Sequence, residues 1–296
     1  MESYLNSGFF NRLETLILQM QPNLRGFFGG KHLVNSYGQT VDFADYREYV
    51  LGDDIRRIDW NLYSRFKKYY LKLFTDERQM HVQIFLDCSA SMDISPEKSN
   101  YAVGLAAALG YLAVHNNDKV SFHFIKGEKA ENPFGMIVGR RSFFSAMGKI
   151  QKQKYQDEAN FYSAFKSTPI TANDGLTVLI SDFFTENEWK SAVNYLCQKK
   201  RQVLLIHLLT PAEADPNFLG RTNLLDSEFV DAADGKNMKI RITKSLLAAY
   251  KEVIEDMRSD LSSFSKTHGV QCISITTDRP IEKVIFEDLL RVGVVK

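Results

Sequence analysis

Residues 82–114, VQIFLDCSASMDISPEKSNYAVGLAAALGYLAV, decide the fold. An apolar strand over residues 82–86 stops at Asp87, and a short loop carrying Ser89 and Ser91 follows. Ser95 is placed to cap the next helix, with Pro96 as its first residue, because a serine side chain satisfies free N–H groups at a helix start and proline needs no donor there. The apolar run 101–114 is too short to span a bilayer, so it reads as a helix buried in a core.

The same alternation continues downstream. Residues 119–125 read as a strand, with 136–138 as a short neighbour, and 143–151 and 161–166 as short helices. Residues 177–180 form another continuous apolar strand. Thr185 and Glu188 make a capping-box pattern before a helix with Trp189, Val193 and Leu196 on one face. Residues 202–209 return to strand. Leu246, Leu247, Tyr250, Val253, Ile254, Met257, Leu261 and Phe264 mark the strongest helix, which ends before Gly269 and a last strand at 271–275. Strands alternating with helices predict a largely parallel sheet covered on both faces, and ligands of such sheets sit beyond the carboxyl ends of the strands. Asp87 falls at one such end, and Asp182, directly after TVLIS, at another.

Upstream, 40–43 and 46–50 alternate as strands among glycines, after an amphipathic helix in the first twenty residues that lacks the positive region of a signal peptide. The expected division is therefore 1–77, a helix and a β-rich element, and 78–296, an α/β domain. Charged residues make up 25% of the 296 and the formal net charge is +1, which gives no general attraction to nucleic acid or anionic membrane. Cys88, Cys197 and Cys272 are odd in number and in no CxxC pattern, so neither a disulfide framework nor a zinc site is expected, and a cytoplasmic setting fits. No transmembrane segment is expected.

Two strand-end aspartates with Ser89 and Ser91 beside one of them form a set of hard oxygen donors suited to a small divalent cation. The alternative is local: Asp87 caps its own loop and the serines make ordinary turns. Asp87, Ser89 and Ser91 match the D-x-S-x-S element of von Willebrand factor A-type domains, and Asp182 stands where their third loop supplies an aspartate. The resemblance implies a doubly wound α/β fold and a metal-ion-dependent adhesion site. In it Ser89 and Ser91 would bind magnesium or manganese directly, Asp87 and Asp182 would hold it mainly through waters, a partner's carboxylate would complete the shell, and the protein would not be an enzyme. One departure stands out, since Ala159 takes the place of the family's second-loop threonine, beside Asn160. Alanine cannot coordinate a metal, which leaves a weaker site, one that recruits Asn160 or Ser163, or an empty one.

The segment GQTVDFADYREYVLGDDIRRIDWNLYSRFKKYYLKLF resembles the signature of a bacterial family known only as domain of unknown function fifty-eight, through Phe43, Arg47, Tyr49, Gly52, Asp53, Asp54, Arg56, Ile58, Asp59, Trp60 and Arg65. LLTPAEADP and LLDSEF are also similar to it. This resemblance implies partnership with a MoxR-type AAA+ ATPase and an unidentified protein cargo. The chain itself shows no GxxxxGK[ST] phosphate loop. Its own role is then an adaptor or assembly factor, with a metal-dependent phosphoester hydrolase and a metal-free scaffold as competing readings.

Other features read as structural. The charges from Asp53 to Arg65 around Trp60 make either a docking surface or an internal ion-pair network. Lys68, Tyr70 and Lys72 alternate with Tyr69, Leu71 and Leu73 as a half-buried strand requires, so RFKKYYLKLF is not read as a nucleic-acid site. His81, His115, His123 and His207 have no evident catalytic partner, and Asp226 and Glu228 precede a predicted hairpin over 239–242.

Overall fold

The computed structural model of the chain describes residues 7–14, 42–75, 80–150, 153–170, 175–185, 189–215, 226–230, 237–241 and 243–295. It divides into two compact units, Phe28–Gln79 and a larger one made of Met1–Phe27 with Met80–Lys296.

The larger unit is built on a mostly parallel six-stranded sheet. In chain order the strands are β3 (His81–Asp87), β4 (Lys119–Lys126), β5 (Lys129–Glu131), β6 (Leu176–Ser181), β7 (Gln202–Leu209) and β10 (Gln271–Thr276). Their spatial order is β10-β7-β6-β3-β4-β5, parallel throughout except for the short edge strand β5, which runs antiparallel to β4. The antiparallel hairpin β8 (Asp226–Val230) and β9 (Asn237–Arg241) stands apart from this sheet and is the hairpin expected there. Strand β5 was not expected, because three residues carry too little alternation to register.

Both faces of the sheet are covered, and the period of two shows which residue goes where. Val82, Ile84 and Leu86 of β3, Val178 and Ile180 of β6, and Leu204, Ile206 and Leu208 of β7 enter one core. Phe85, Leu179, Val203 and Leu205, at the intervening positions, enter the other. The first core is closed by α3 (Pro96–His115) and α4 (Arg140–Ile150), the second by α5 (Phe161–Ser167) and α6 (Trp189–Gln198), with Leu261 from the long helix α8 (Lys244–His268). Helix α8 ends on Gly269 at φ +66°, the left-handed conformation that glycine adopts without steric cost.

Helix α3 is buried from Tyr101 to Val114, as its apolar run requires. Its small residues let it lie close to the sheet: a Cβ at Gly110 would stand 2.4 Å from the Phe122 ring and 3.1 Å from that of Phe143. Ser95 caps the helix by accepting the Lys98 N–H at 3.3 Å. The expected neighbour strand at 136–138 is a single antiparallel bridge, Val120 to Ile137. Glu188 of the expected capping box lies outside the described residues; the Thr185 hydroxyl lies 2.8 Å from Glu158 Oε1 and 3.0 Å from the Ala159 carbonyl.

The division of the chain differs from the expected one at its start. The helix α1 (Ser7–Leu13) goes with the α/β unit, because Phe10 and Leu13 are buried in the first core and Phe10 packs against Tyr111 of α3 at 4.5 Å. Sequence periodicity shows a helix's apolar face but not what will cover it.

The small unit contains the antiparallel pair β1 (Asp42–Glu48) and β2 (Tyr70–Thr75) and the helix α2 (Trp60–Phe66). Asp59 caps α2 by accepting from the N–H groups of Asn61 and Leu62, and it also takes the Tyr46 hydroxyl and the Lys72 ammonium. Arg47 grips Asp53 with two bonds of 2.6 and 2.7 Å, and Arg56 pairs with Asp54. Asp53, Asp54, Arg56 and Asp59, near Trp60 in the chain, therefore form ion pairs within this unit. Leu71 is buried and its neighbours Tyr70 and Lys72 are not, but Tyr69, expected on the same face as Leu71, is 45% exposed, so the expected alternation holds only around Leu71. Among the described residues, no helix is long and apolar enough to cross a membrane.

Candidate functional site

The carboxyl ends of β3, β6 and β7 bring together every residue singled out at the strand ends. The ladder continues one residue past Asp87, since Cys88 N–H donates to Ile125 O of β4 at 3.0 Å. Asp87 then folds the chain back on itself: its Oδ1 accepts the Ser89 N–H at 2.8 Å, the short-range bond by which aspartate stabilises a turn. Its Oδ2 accepts the Ser181 hydroxyl at 2.6 Å from the neighbouring strand. Ser181 Oγ accepts in turn from Phe183 N–H at 2.8 Å. Phe183 holds a left-handed φ of 57°, a conformation that costs a bulky residue roughly 1–3 kcal/mol and is kept only where the surroundings impose it. The Ser89 and Ser91 hydroxyls lie 3.1 Å from each other.

Asp182 is engaged as fully. Its Oδ1 accepts from Phe184 N–H at 3.0 Å, and its Oδ2 accepts from the Nζ of Lys98 at 2.7 Å. Lys98 is the centre of the arrangement. It is 0% exposed, and its ammonium also donates to Glu213 Oε1 at 2.7 Å and to the Ser91 carbonyl at 3.1 Å. An ammonium has three donors, and here each has an acceptor on a different loop, those following β3, β6 and β7. Glu213 is itself held by its other oxygen, which accepts from the backbone N–H and the hydroxyl of Thr210 at 2.7 and 2.9 Å in a capping box on α7 (Pro211–Ala214). The Phe184 ring lies 5.8 Å from the ammonium.

With all groups ionised, Asp87, Asp182 and Glu213 bring three negative charges and Lys98 one positive, a formal balance of −2. Burial, and then the charge of Asp182, pushes the Asp87 carboxyl up to about 6. Burial pushes the Cys88 thiol far up, with the Asp87 charge acting in the same direction, so Cys88 is no thiolate nucleophile. His207, whose Nδ1 lies 3.0 Å from Ser274 Oγ, is held neutral down to about pH 4, by burial first and then by the charges of Arg258 and Lys98.

The expected ligands are thus neighbours, and each oxygen of the two aspartates already accepts a bond from within the protein. Asp182 has one oxygen on the Lys98 ammonium and one on a backbone N–H; Asp87 has one on a hydroxyl and one on a backbone N–H. Ala159 is buried and has no oxygen on its side chain, and Asn160 Oδ1 is used to cap α5 by accepting from Ser163 N–H at 3.0 Å. Among the described residues, no group of three or more His, Cys, Asp or Glu side chains is placed to hold a metal ion. These residues fit an ammonium at the strand ends and do not fit the expected magnesium arrangement, in which Asp182 would face the cation. A positive charge 2.7 Å from Asp182 already stands on that side of the carboxylate.

Sequence reasoning passed over Lys98, Ser181 and Glu213. Lys98 had a signal: it is the third residue of a helix that is apolar and buried from Tyr101 to Val114, at the end where the helix dipole disfavours a cation. Such a lysine needs a carboxylate to offset both burial and dipole. Glu213 lies in the TPAEADP stretch and forms a T-x-x-E capping pattern with Thr210.

A family described as "Protein of unknown function DUF58" matches residues 45–260. Uncharacterized proteins of Mycobacterium bovis and Mycobacterium tuberculosis are each 25% identical over 276 residues, which is 90% of this chain and 84% of theirs. Among solved structures, proximal thread matrix protein 1 from the mussel byssus matches with a TM-score of 0.41 and 12% identity over 74% of this chain and 46% of its own. The pilus adhesin SpaC from Lactobacillus rhamnosus GG matches with a TM-score of 0.43 and 7% identity, over 75% of this chain and 32% of its own. The chain spans less than half the length of either structure.

Proposed function

The chain belongs to the DUF58 family of unknown function, and from that premise we propose that it is a non-catalytic protein-binding module, an adaptor or assembly factor that acts in the cytoplasm with a MoxR-type AAA+ ATPase on a protein cargo. The frame proposed for it is von Willebrand A-like, with the loops after β3, β6 and β7 as the binding crest.

One observation carries the reading. Every carboxylate oxygen of Asp87 and Asp182 already accepts from a protein donor, and these bonds tie the loops after β3 and β6 to each other and to α3, which supports a part in holding a surface in shape. The Ser89 hydroxyl has Ser91 Oγ at 3.1 Å and the Asp87 carboxylate as partners, and neither serine has a histidine within bonding distance among its described contacts. Lys98 has all three donors in use and serves as a clamp, not as a base. Such a site holds three loops in one arrangement, the preorganisation from which a binding surface gains.

The test uses the full chain and the purified MoxR-type ATPase of the same organism. Binding is measured by titration calorimetry with ATP, with ADP and without nucleotide, each with and without chelator, alongside hydrolysis of p-nitrophenyl phosphate by the chain alone. Saturable binding that depends on the nucleotide, with no phosphoester turnover, is expected. Turnover abolished by Asp87→Ala, with no binding of the ATPase, would replace the adaptor with the hydrolase reading.

A further inference from the structure

The buried lysine raises a question independent of what docks on the crest. A lysine is seldom fully buried, because its charge loses the solvation of water, and it persists only where ion pairs and hydrogen bonds restore that loss. Lys98 meets this condition completely: two carboxylates at 2.7 Å and a carbonyl at 3.1 Å account for all three donors. Its position is costly for a second reason, since the first turn of α3 directs partial positive charge toward it. Three chain segments far apart in sequence, separated by 84 and 115 residues from Lys98 at the two carboxylates, converge to offset that cost.

We propose that the Lys98 ammonium is the permanent, built-in cation of this site: it stands where a divalent ion would have to meet Asp182, and it ties the loops after β3, β6 and β7 together in every molecule without metal. The donor geometry supports this directly. A divalent ion draws its strength from carboxylate oxygens with free lone pairs directed at one point, whereas Asp182 and Glu213 direct theirs at Nζ. The second-loop position that would add a ligand is Ala159, whose backbone carbonyl is instead held by the Thr185 hydroxyl at 3.0 Å. The loops are closed by contacts within the chain, and a covalently attached cation cannot be removed by a chelator or diluted away.

The inference has two readouts, the first on the unmodified protein. A buried ammonium exchanges its protons slowly and gives a lysine side-chain signal in proton–nitrogen NMR, assigned by its disappearance in Lys98→Arg. Adding manganese in several-fold excess to metal-stripped protein is expected to leave that signal in place. Manganese bound at Ser89 and Ser91 would lie within a few ångströms and erase it, and that result overturns the proposal. The second readout is the urea midpoint of Lys98→Gln with and without magnesium. Removing the ammonium leaves Asp182 and Glu213 facing a vacated cation position, so a magnesium-dependent rise in midpoint is expected in the variant and not in the parent. A folded variant whose midpoint ignores magnesium, or a parent whose midpoint rises with it, overturns the claim that the lysine stands in for the ion; a variant that does not fold leaves the decision to the manganese titration. Failure of the ATPase titration would touch neither readout.

Discussion

The two ends of the parallel sheet each bury a cation, and they do so with opposite chemistry. At the carboxyl ends Lys98 is met by two carboxylates and one carbonyl. At the amino ends Arg201, 3% exposed, is met by neutral acceptors: the carbonyls of His81 and Leu176 at 2.6 and 2.8 Å and the Thr177 hydroxyl at 3.1 Å. A guanidinium is weakly hydrated and spreads its charge over a planar fork, so several carbonyls suffice for it; a compact ammonium is held more strongly by water and takes carboxylates to replace that water. The amino end is a closed joint, whereas the carboxyl end gathers more negative charge than its cation neutralises and is the end from which the loops project.

The strongest way to break this comparison is to remove each cation with a side chain of similar length. Lys98→Met leaves two buried carboxylates without a counter-charge, and breaking a buried pair in this way costs about 3–5 kcal/mol. Arg201→Met leaves carbonyls and a hydroxyl short of a donor, about 1–3 kcal/mol. Urea unfolding at neutral pH measures both, and equal losses would mean that the carboxylates around Lys98 contribute no more than carbonyls do.

The same contrast explains what was legible in the sequence. The sheet and its helices follow from apolar runs and helical periods within single segments, so they could be read locally, whereas a continuous apolar strand does not show which residue enters which core. Asp87, Ser89, Ser91 and Asp182 could be placed together because apolar strands that end in aspartate must end at the same edge of a parallel sheet. The chemistry they perform could not, because it turns on Lys98 and Glu213, whose partners lie 84 and 115 residues away in the chain. Only the cost of putting a lysine in the first turn of a buried helix was written locally. The covering of α1 by α3 was hidden for the same reason.

Acid sharpens the comparison next. At the amino end the Ser121 hydroxyl lies 2.9 Å from Nε2 of both His81 and His123, so it donates to one ring and accepts from the other. Burial holds both histidines neutral down to about pH 4, helped at His81 by the charges of Arg201 and Lys119 and at His123 by His81. Their folded values lie below the ordinary 6.5, so the unfolded chain takes up protons first. The stability they allow is complete above about pH 6.5 and is lost as pH falls toward 4. His123→Phe keeps a ring to stack on Phe85, which lies 4.5 Å from the imidazole, and removes one titrating group. The variant is expected to lose less stability than the parent between pH 6.5 and 4, by roughly 3 kcal/mol. Parallel pH profiles would show that His123 protonates in place. Asp118 works in the opposite sense, since burial pushes it up to about 6 and its protonation on acidification favours the fold.

The close approach of α3 to the sheet gives a smaller test that belongs to neither end. A methyl at Gly110 would press on Phe122 inside a packed core, so Gly110→Ala is expected to cost about 1–3 kcal/mol with the crest unchanged. A loss of ATPase binding without a matching loss of stability would show that the helix transmits strain to the loop that carries Ser91.

The smallest expected effect is the one that best separates a metal-assisted crest from a clamped one. Ser89→Ala removes a hydroxyl that has Ser91 Oγ at 3.1 Å and the Asp87 carboxylate as partners, while the backbone N–H of residue 89 keeps its bond to Asp87 and the carbonyl keeps the Met92 N–H. If Lys98 and the backbone hold the loop, stability should fall by less than about 1 kcal/mol, and binding of the ATPase in the titration above should be unchanged. A hydroxyl that ligates a cation has no such freedom to be lost, since its removal takes away a direct ligand. Loss of binding in Ser89→Ala, with folding intact, would therefore return the crest to metal chemistry and leave Lys98 as a support to it.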